Sequence, residues 1–383
     1  MRNWAVLLLS TVLVACSTAP IAPRPGGLFN DHLFGAPSER IDVADVFALG
    51  DDMQRYLEGE IAEQIRAKGD HQGFFDAVYV KGNLRLQYDS AMTRNAAQAF
   101  AARSGNCLSL AILAGAFAKK LGIPVRYQSA NAEETWSRSG DIHFFIGHVN
   151  LAVGRKQLDS GFMRSAGDYM TIDFLPPEEI RGLTTRVIAE NTIVAMYMNN
   201  KSAEAFAREQ LDDAYWWARE AIRQDPAFLS TYNTLGLVYR HHGNPGEAER
   251  VLAYGLEREP ANTRIMSNLS AVLGDLGRTA ESKTLADKLH RMEPHPAFSY
   301  FDLGRKALGE RDFATARDLF SKELDRAPYY DEFHYWLALA YLGLGDNERA
   351  RKELALAIVN STTASDRNLY AAKLDRIKSY GGQ

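Results

Sequence analysis

One cysteine of the chain stands where a nucleophile would be expected. Cys107 follows a small polar turn at residues 103–106 (Arg-Ser-Gly-Asn) and opens an apolar run that is typical of a helix. The unpaired backbone N–H groups and the dipole of a helix N-terminus stabilise a thiolate, which is the nucleophilic form of cysteine. The position makes this thiol a candidate nucleophile. A small buried core residue is the alternative for a free cysteine.

A cysteine nucleophile needs a base and a group that orients the base. His148 lies in a β-rich run, and Asp173 lies in a later short apolar run. Because a carboxylate in an apolar strand is costly without a partner, the two residues are predicted to pair. A satisfied core histidine is the alternative for His148. His143 is the rival base, but residues 143 and 148 face opposite sides of a strand. Asp159 and Asp168 are the alternative acids.

The elements that must position these residues are mixed. An apolar helix is predicted from Leu108 to Leu121, and Asn106 is expected to cap it, with a place in an oxyanion hole as the alternative. The β-rich segments that follow span residues 144–153 and 169–174. A helix followed by antiparallel-looking strands predicts an α+β domain, with bounds at residues 43–190.

Three motifs in this domain resemble the transglutaminase-like superfamily. They are Arg-Ser-Gly-Asn-Cys-Leu-Ser-Leu-Ala at residues 103–111, Gly-His-Val at 147–149 and Ile-Asp-Phe at 172–174. The resemblance covers roughly residues 50–185 and is to bacterial members fused to tetratricopeptide repeats. It implies a papain-like fold in which Cys107 attacks an amide or thioester carbonyl, His148 shuttles the proton and Asp173 orients the imidazole.

Two positions depart from the pattern of the superfamily. Crosslinking members usually carry Trp after the cysteine, where this chain has Leu108, and many relatives carry a small residue or Pro where it has Phe174. These departures favour proteolysis, deamidation or amide hydrolysis at least as much as crosslinking. The backbone N–H of Cys107 is expected to contribute to an oxyanion hole.

The second half of the chain carries an internal repeat. Pro226, Pro260, Pro294 and Pro328 are each 34 residues apart, which is the period of the tetratricopeptide repeat. About five copies predict an all-α superhelix over residues 195–365, and residues 366–383 are expected to form its capping helix. The inner surface of such an array binds extended peptides. The candidate residues for that surface are Asn233, Arg240, Phe298, Phe301, Arg305 and Tyr335, with a place in the inter-repeat core as the alternative for the aromatic ones.

The N-terminus resembles that of a bacterial lipoprotein. Arg2 and the apolar residues 4–13 have the pattern of a secretory signal, and Leu-Val-Ala-Cys at residues 13–16 resembles a lipobox. The resemblance implies removal of residues 1–15 and a membrane lipid on Cys16. An ordinary signal peptide that is cut elsewhere, with Cys16 present by chance, is the alternative. Ser17 resembles the outer-membrane type, which implies a periplasm-facing lipoprotein. Residues 16–42 are expected to be the linker from this anchor.

Composition excludes several other classes of function. The chain has 383 residues and a formal net charge of -4, with Lys and Arg scattered, so nucleic-acid binding is not expected. Dispersed histidines and the lack of a Gly-rich phosphate loop predict neither a metal nor a cofactor. The expectation is a lipid-anchored envelope thiol enzyme acting on protein or peptide amides, with repeats that recruit substrate or a protein partner. The alternative is a non-catalytic or weakly catalytic scaffold that binds proteins through the repeats.

Overall fold

The computed structural model describes residues 25–80, 84–139, 142–154, 169–175 and 184–380. The first domain contains helices α1 (Asp51–Tyr56), α2 (Ala62–Lys68), α3 (Asp70–Phe75), α4 (Ala96–Ala102) and α5 (Cys107–Lys120). A π-helical segment, Leu57–Ile61, joins α1 to α2, and a second one, Asp76–Val80, continues α3. The predicted signal segment, Cys16, Asp159 and Asp168 lie outside the described residues.

The strands that the structure describes in this domain form two sheets. They are β1 (Gln87–Tyr88), β2 (Ser104–Gly105), β3 (Val125–Ser139), β4 (Ile142–Gly154), β5 (Tyr169–Ile172) and β6 (Thr184–Ile188). Strands β1 and β2 pair in parallel, and the others form an antiparallel sheet in the order β5-β4-β3-β6. The predicted α+β class is confirmed.

Helix α5 is the central helix of the domain. Its residues 107–118 are all buried, which explains why the sequence shows an almost continuous apolar run instead of one apolar face. The helix packs on β4, and Gly115 lies against Tyr127 of β3 so closely that a Cβ would collide with the phenol ring. Gly122 ends the turn after the helix with a positive φ of 67°.

The rest of the described chain is a series of helical hairpins. The helices are α6 (Glu190–Ala207), α7 (Leu211–Gln224), α8 (Ser230–His241), α9 (Pro245–Arg258), α10 (Thr263–Asp275), α11 (Thr279–Met292), α12 (Ser299–Gly309), α13 (Phe313–Arg326), α14 (Asp331–Gly343), α15 (Asn347–Asn360) and the last helix, α16 (Ala364–Tyr380). Gly304 lets the two helices of one hairpin approach, because a Cβ there would come within 2.7 Å of the Phe320 ring. The five predicted copies correspond to the pairs from α6/α7 to α14/α15.

The interior of this array consists of two separate apolar clusters. One lies in the hairpins from α6 to α10, and the other is an aromatic cluster in α12 to α14. Helix α11, which lies between them, contributes no fully buried residue. Buried Glu323 accepts hydrogen bonds from the N–H groups of Tyr300 and Phe301, at 2.9 and 3.2 Å, and so caps α12 from the neighbouring helix.

The two domains share helix α6. Ile193, Val194, Tyr197 and Met198 belong to the apolar core of the α+β domain, whereas Ala205 and Phe206 belong to the first cluster of the array. The first helix of the repeats is therefore also a wall of the α+β domain. No helix in the described ranges is both long enough and apolar enough to span a bilayer.

Part of the predicted linker is bound to the array. Leu28 and Phe34 are buried, and the Phe34 ring stacks on Tyr215 of α7 with centroids 4.0 Å apart. The N–H and hydroxyl of Ser38 bind the two carboxylate oxygens of Asp213, at 2.6 and 2.7 Å. Over residues 25–39 the chain is therefore not the free spacer that its proline content suggests, because aromatic burial fixes it.

Candidate functional site

Cys107 is the first residue of α5 and lies just beneath the surface. Its side chain is 3% exposed, and its Sγ lies 3.9 Å from the carbonyl oxygen of Gly147, which is itself exposed. As the first helical residue, Cys107 has a backbone N–H outside the repeating hydrogen-bond ladder of the helix. The thiol therefore lies at the positive end of the helix dipole and close to solvent.

Asn106 is the cap of this helix. Its Oδ1 accepts hydrogen bonds from the N–H and the hydroxyl of Ser109, at 2.9 and 2.8 Å, and its Nδ2 donates to Thr93 Oγ1 at 3.0 Å. Both ends of the amide are occupied, so the structure supports the capping role over the oxyanion alternative.

His148 and Asp173 form a buried pair beside the thiol. His148 Nε2 lies 2.9 Å from Oδ1 and 2.8 Å from Oδ2 of Asp173, and both side chains are almost fully buried. The Cys107 thiol lies near enough to the same imidazole to help raise its pKa. Because Nε2 is occupied by the carboxylate, Nδ1 is the ring nitrogen left for the sulfur. The structure thus brings the three predicted residues together in the order Cys, His, Asp.

Strand register explains how Asp173 reaches the pair. Leu151 of β4 lies opposite Ile172 of β5, and continuing this antiparallel register by one residue sets Asp173 beside Asn150. His148 and Asn150 are two residues apart, so their side chains lie on the same face of β4. The residue that directly follows β5 therefore brings the carboxylate to the face that carries the histidine.

Electrostatics within the pair favour the charged forms. Burial alone would lower the pKa of His148, but the bond to Asp173 and the neighbouring Cys107 thiol raise it to about 9. Burial alone would raise the pKa of Asp173, yet hydrogen bonds, foremost that from His148, hold it below its ordinary value. The arrangement therefore keeps an imidazolium next to the sulfur at neutral pH.

Sequence reasoning missed two groups that hold Asp173. Asn150 Nδ2 donates to Oδ2 at 2.8 Å, and the Leu175 N–H donates to Oδ1 at 3.1 Å. The signal for Asn150 was its spacing of two residues from His148 on a predicted strand. The Leu175 contact is a backbone contact, so no residue type could reveal it.

Aromatic side chains flank the carboxylate. Tyr79 meets Phe174 edge to face, with ring centroids 5.7 Å apart, and is 41% exposed. Burial and the charge of Asp173 raise the pKa of the Tyr79 hydroxyl. Phe174, which departs from the superfamily pattern, therefore forms part of an aromatic border beside the acid.

Two of the predicted peptide-binding residues are not on a surface. Phe298 and Phe301 are buried, at 1% and 0% exposure, and both pack against Phe333, with ring centroids 5.3 and 5.2 Å away. Their prediction as ligand contacts is wrong, because adjacent hairpins bury these rings in the aromatic cluster. The core alternative holds for both.

The other candidates on the array have partners of their own. Asn233 accepts a hydrogen bond from Asn268 at 2.8 Å, Arg240 pairs with Asp275 at 2.5 Å, and the ring of Tyr335 stacks on Tyr370 with centroids 4.9 Å apart. Arg305 borders an open groove of about 540 Å³, and its guanidinium lies 5.1 Å from the centre of the Trp336 ring. The residues that line this groove are Asp302, Arg305, Lys306, Leu308, Gly309 and Trp336.

No cluster of His, Cys, Asp or Glu suited to a metal ion occurs among the residues that the structure covers.

An α+β domain with a cysteine at the start of its central helix and a His–Asp pair on its sheet is joined here to helical hairpin repeats. The model of the transglutaminase-like superfamily matches residues 60–152, which include Cys107 and His148, and the tetratricopeptide repeat model matches residues 307–371. The chain therefore combines a transglutaminase-like domain with tetratricopeptide repeats.

Comparison with solved structures finds repeat proteins. They include MamA (18% identity, 45% of this chain and 93% of that chain, TM-score 0.26), YrrB, described as a TPR protein with an unusual peptide-binding site (19%, 47% and 92%, TM-score 0.26), and pilF of Pseudomonas aeruginosa (16%, 50% and 87%, TM-score 0.29). Comparison with curated proteins finds no match.

Proposed function

We propose that the protein is a thiol enzyme that transfers the acyl group of a protein or peptide amide. The observation that carries the proposal is the buried His148–Asp173 pair, with Nε2 to Oδ2 at 2.8 Å, beside a thiol at a helix N-terminus. Burying an ion pair is costly, and a structural role for the pair would be served as well by apolar residues. An imidazolium next to a sulfur is what nucleophilic catalysis requires.

The chemistry follows from the three side chains. The Cys107 sulfur, whose proton passes to His148, forms a bond to the amide carbonyl carbon. As the tetrahedral intermediate collapses, the C–N bond breaks and His148 Nδ1 gives its proton to the leaving amine, which leaves a thioester. His148 then takes a proton from the acceptor, which attacks the thioester and releases Cys107. Water as the acceptor gives proteolysis or deamidation, and an amine gives acyl transfer.

The first backbone N–H groups of α5 support the same proposal. An oxyanion on the attacked carbonyl would lie near the N–H of Cys107, where the dipole of the helix stabilises negative charge. Asn106 stays outside this interaction, since its amide is used by Ser109 and Thr93.

The repeats are proposed to recruit the substrate or a protein partner. The groove beside Arg305 and Trp336 combines cations with an aromatic ring, which suits a peptide carrying both acidic and apolar side chains. Arg305→Ala should weaken partner capture, whereas Cys107→Ala should leave it unchanged.

The location is proposed to be the periplasmic face of an outer membrane, through a lipid on Cys16. The lipobox-like residues 13–16 support this, and the bound segment 25–39 would then hold the repeats close to the anchor. Mass spectrometry of the protein from a membrane fraction should find an acylated N-terminal cysteine. An unmodified Cys16, or a soluble protein, would contradict the location without touching the proposed chemistry.

The enzyme proposal is tested with general amide donors. Dimethylated casein is incubated with the protein and a fluorescent primary amine, and both ammonia release and amine incorporation are measured. The wild type should release ammonia, incorporate the amine or do both. Cys107→Ser should be at least about a thousandfold less active. Equal activity of the wild type and Cys107→Ser would contradict the proposal. An absence of turnover together with an unreactive Cys107 would favour the scaffold alternative.

A further inference from the structure

A short loop ahead of α4, residues 89–95, is bonded to the turn that carries the nucleophile. The Asp89 N–H donates to the Gly105 carbonyl at 3.0 Å, and the Arg94 N–H donates to Ser109 Oγ at 2.8 Å. Between these contacts, Thr93 Oγ1 accepts from Asn106 Nδ2 at 3.0 Å. The loop is therefore hydrogen-bonded to residues on both sides of Cys107.

The same loop is bonded to the first helix of the repeat array. The Thr93 N–H donates to Glu204 Oε1 at 2.6 Å, and Asn200 Nδ2 donates to Thr93 Oγ1 at 3.2 Å. Glu204 and Asn200 lie on α6, which also forms the first hairpin with α7.

The far end of the array reaches this loop as well. The Ser90 N–H donates to the Thr362 carbonyl at 3.2 Å, and the two hydroxyls lie 2.8 Å apart. Thr362 lies between α15 and α16, so the first and last parts of the array contact one loop. This second contact is exposed, whereas Thr93 is only 4% exposed.

Thr93 is the centre of the connection. Its hydroxyl oxygen accepts hydrogen bonds from Asn106 and from Asn200, and its backbone N–H donates to Glu204. One side of this oxygen is the cap residue next to Cys107, and the other side is the repeat array. A buried hydroxyl oxygen that accepts hydrogen bonds from both sides fixes the separation of the groups that it joins.

We infer that Thr93 is a positioning residue through which the repeat array holds Cys107 in line with His148. The inference rests on the proposed role of Cys107 as a nucleophile. It makes the repeats part of the site's geometry in addition to any role in recruitment. Displacing the array from the loop then lowers the reactivity of the thiol, even though no repeat residue touches the sulfur.

The test uses the full chain and iodoacetamide, with the alkylated residue assigned by peptide mapping. Thr93→Val keeps the shape of the side chain and removes the hydroxyl, and it should slow alkylation of Cys107 about tenfold, since small misplacements at a reacting centre are costly. Thr93→Ser keeps the hydroxyl and should stay within about twofold of wild type. Thr362→Ala is the matched control at the exposed contact and should also stay within about twofold.

A double-mutant cycle separates positioning from general destabilisation. If Thr93 acts by aligning Cys107 with His148, Thr93→Val should have little further effect in a His148→Ala background. Circular dichroism at the assay temperature confirms that each variant is folded. Should Thr93→Val fail to fold, Asn200→Ala removes one bond from the repeat side and should slow alkylation about threefold.

Two results would overturn the inference. One is unchanged alkylation in folded Thr93→Val, or in Asn200→Ala where Thr93→Val does not fold. The other is an equal loss with and without His148. Failure of the proposed function looks different, because Cys107 of the wild type would then react no faster than an ordinary thiol, whatever residue stands at position 93.

Discussion

The interior of the transglutaminase-like domain and the interior of the repeat array are built on different principles. Around Cys107, buried polar side chains form a connected set, in which His148 and Asn150 both hydrogen-bond to Asp173. In the second half of the array, the interior is aromatic, with Phe301 in contact with Phe320 and Phe333. Buried polar groups need defined partners, whereas aromatic packing needs complementary shape and volume.

The difference indicates that the polar interior serves reactivity and that the aromatic interior serves stability. A buried His–Asp pair contributes little net stability, so its presence favours a role in reactivity. A buried phenylalanine contributes through the apolar area that it removes from water. Substitutions in the two interiors should therefore separate reactivity from stability.

The largest stability effect is expected at Phe301. Phe301→Ala removes a ring that is fully buried between hairpins and should lower the free energy of unfolding of the array by about 3–5 kcal/mol. Urea denaturation followed by far-UV circular dichroism measures the change. Leu303→Ala on the same helix is the control, because Leu303 is 54% exposed and should cost under about 0.5 kcal/mol.

The comparison breaks down if Phe301→Ala is as stable as the control. It also breaks down if the folded Phe301→Ala protein loses the iodoacetamide reactivity of Cys107 to the extent that His148→Ala does, because the aromatic cluster would then serve the site directly.

The next largest effect is expected on the pKa of His148. In the wild type, NMR of histidine-labelled protein should show a midpoint of about 9 for this residue. Asp173→Asn removes the carboxylate that opposes the effect of burial, so the pKa of His148 should fall by about one to three units. A midpoint that does not move would show that Asp173 does not hold the imidazolium.

The same pair gives stability a defined pH dependence. Because the folded pKa of His148 is raised from 6.5 to about 9, its contribution to stability is complete below pH 6.5 and is lost as the pH rises through about 9. Because the pKa of Asp173 is lowered from 3.8, its contribution is present above that value and is lost as the pH falls through the folded pKa. Thermal unfolding at several pH values, compared between wild type and Asp173→Asn, measures the loss of stability at both high and low pH.

The smallest effect is expected on the surface of the array. Arg240 and Asp275 pair at 2.5 Å but are partly solvent-exposed, so Arg240→Ala should change the free energy of unfolding by under about 1 kcal/mol. Raising the salt concentration should reduce even this difference. A loss as large as that of Phe301→Ala would mean that the array depends on its surface ion pairs.

The fold was largely readable from local sequence patterns. The 34-residue period predicts the helical hairpins, because each copy repeats the same small and large residues where two helices meet, as at Gly304 and Phe320. The docking of residues 25–39 on the array could not be predicted, because its partners Tyr215 and Asp213 lie far away along the chain. A proline-rich composition is compatible with both a free linker and a docked one.

Only part of the site could be predicted from the sequence. Cys107, His148 and Asp173 could be predicted because each stands in a short motif on its own element. The bonds that join Thr93 to Asn106 and Glu204 could not, because they depend on how α6 packs against the first domain. Phe298 and Phe301 were predicted on the wrong side of the array, since sequence period alone does not distinguish an inner surface from an inter-repeat core.

The central claim, that the buried His–Asp pair activates Cys107, is tested most directly by the alkylation rate of this thiol at pH 7. Iodoacetamide should modify Cys107 of the wild type at least about tenfold faster than Cys107 of His148→Ala, because the thiolate is the reacting form and the imidazolium stabilises it. His32→Ala, at an exposed histidine, should react like the wild type. Equal rates for the wild type and His148→Ala would contradict the account.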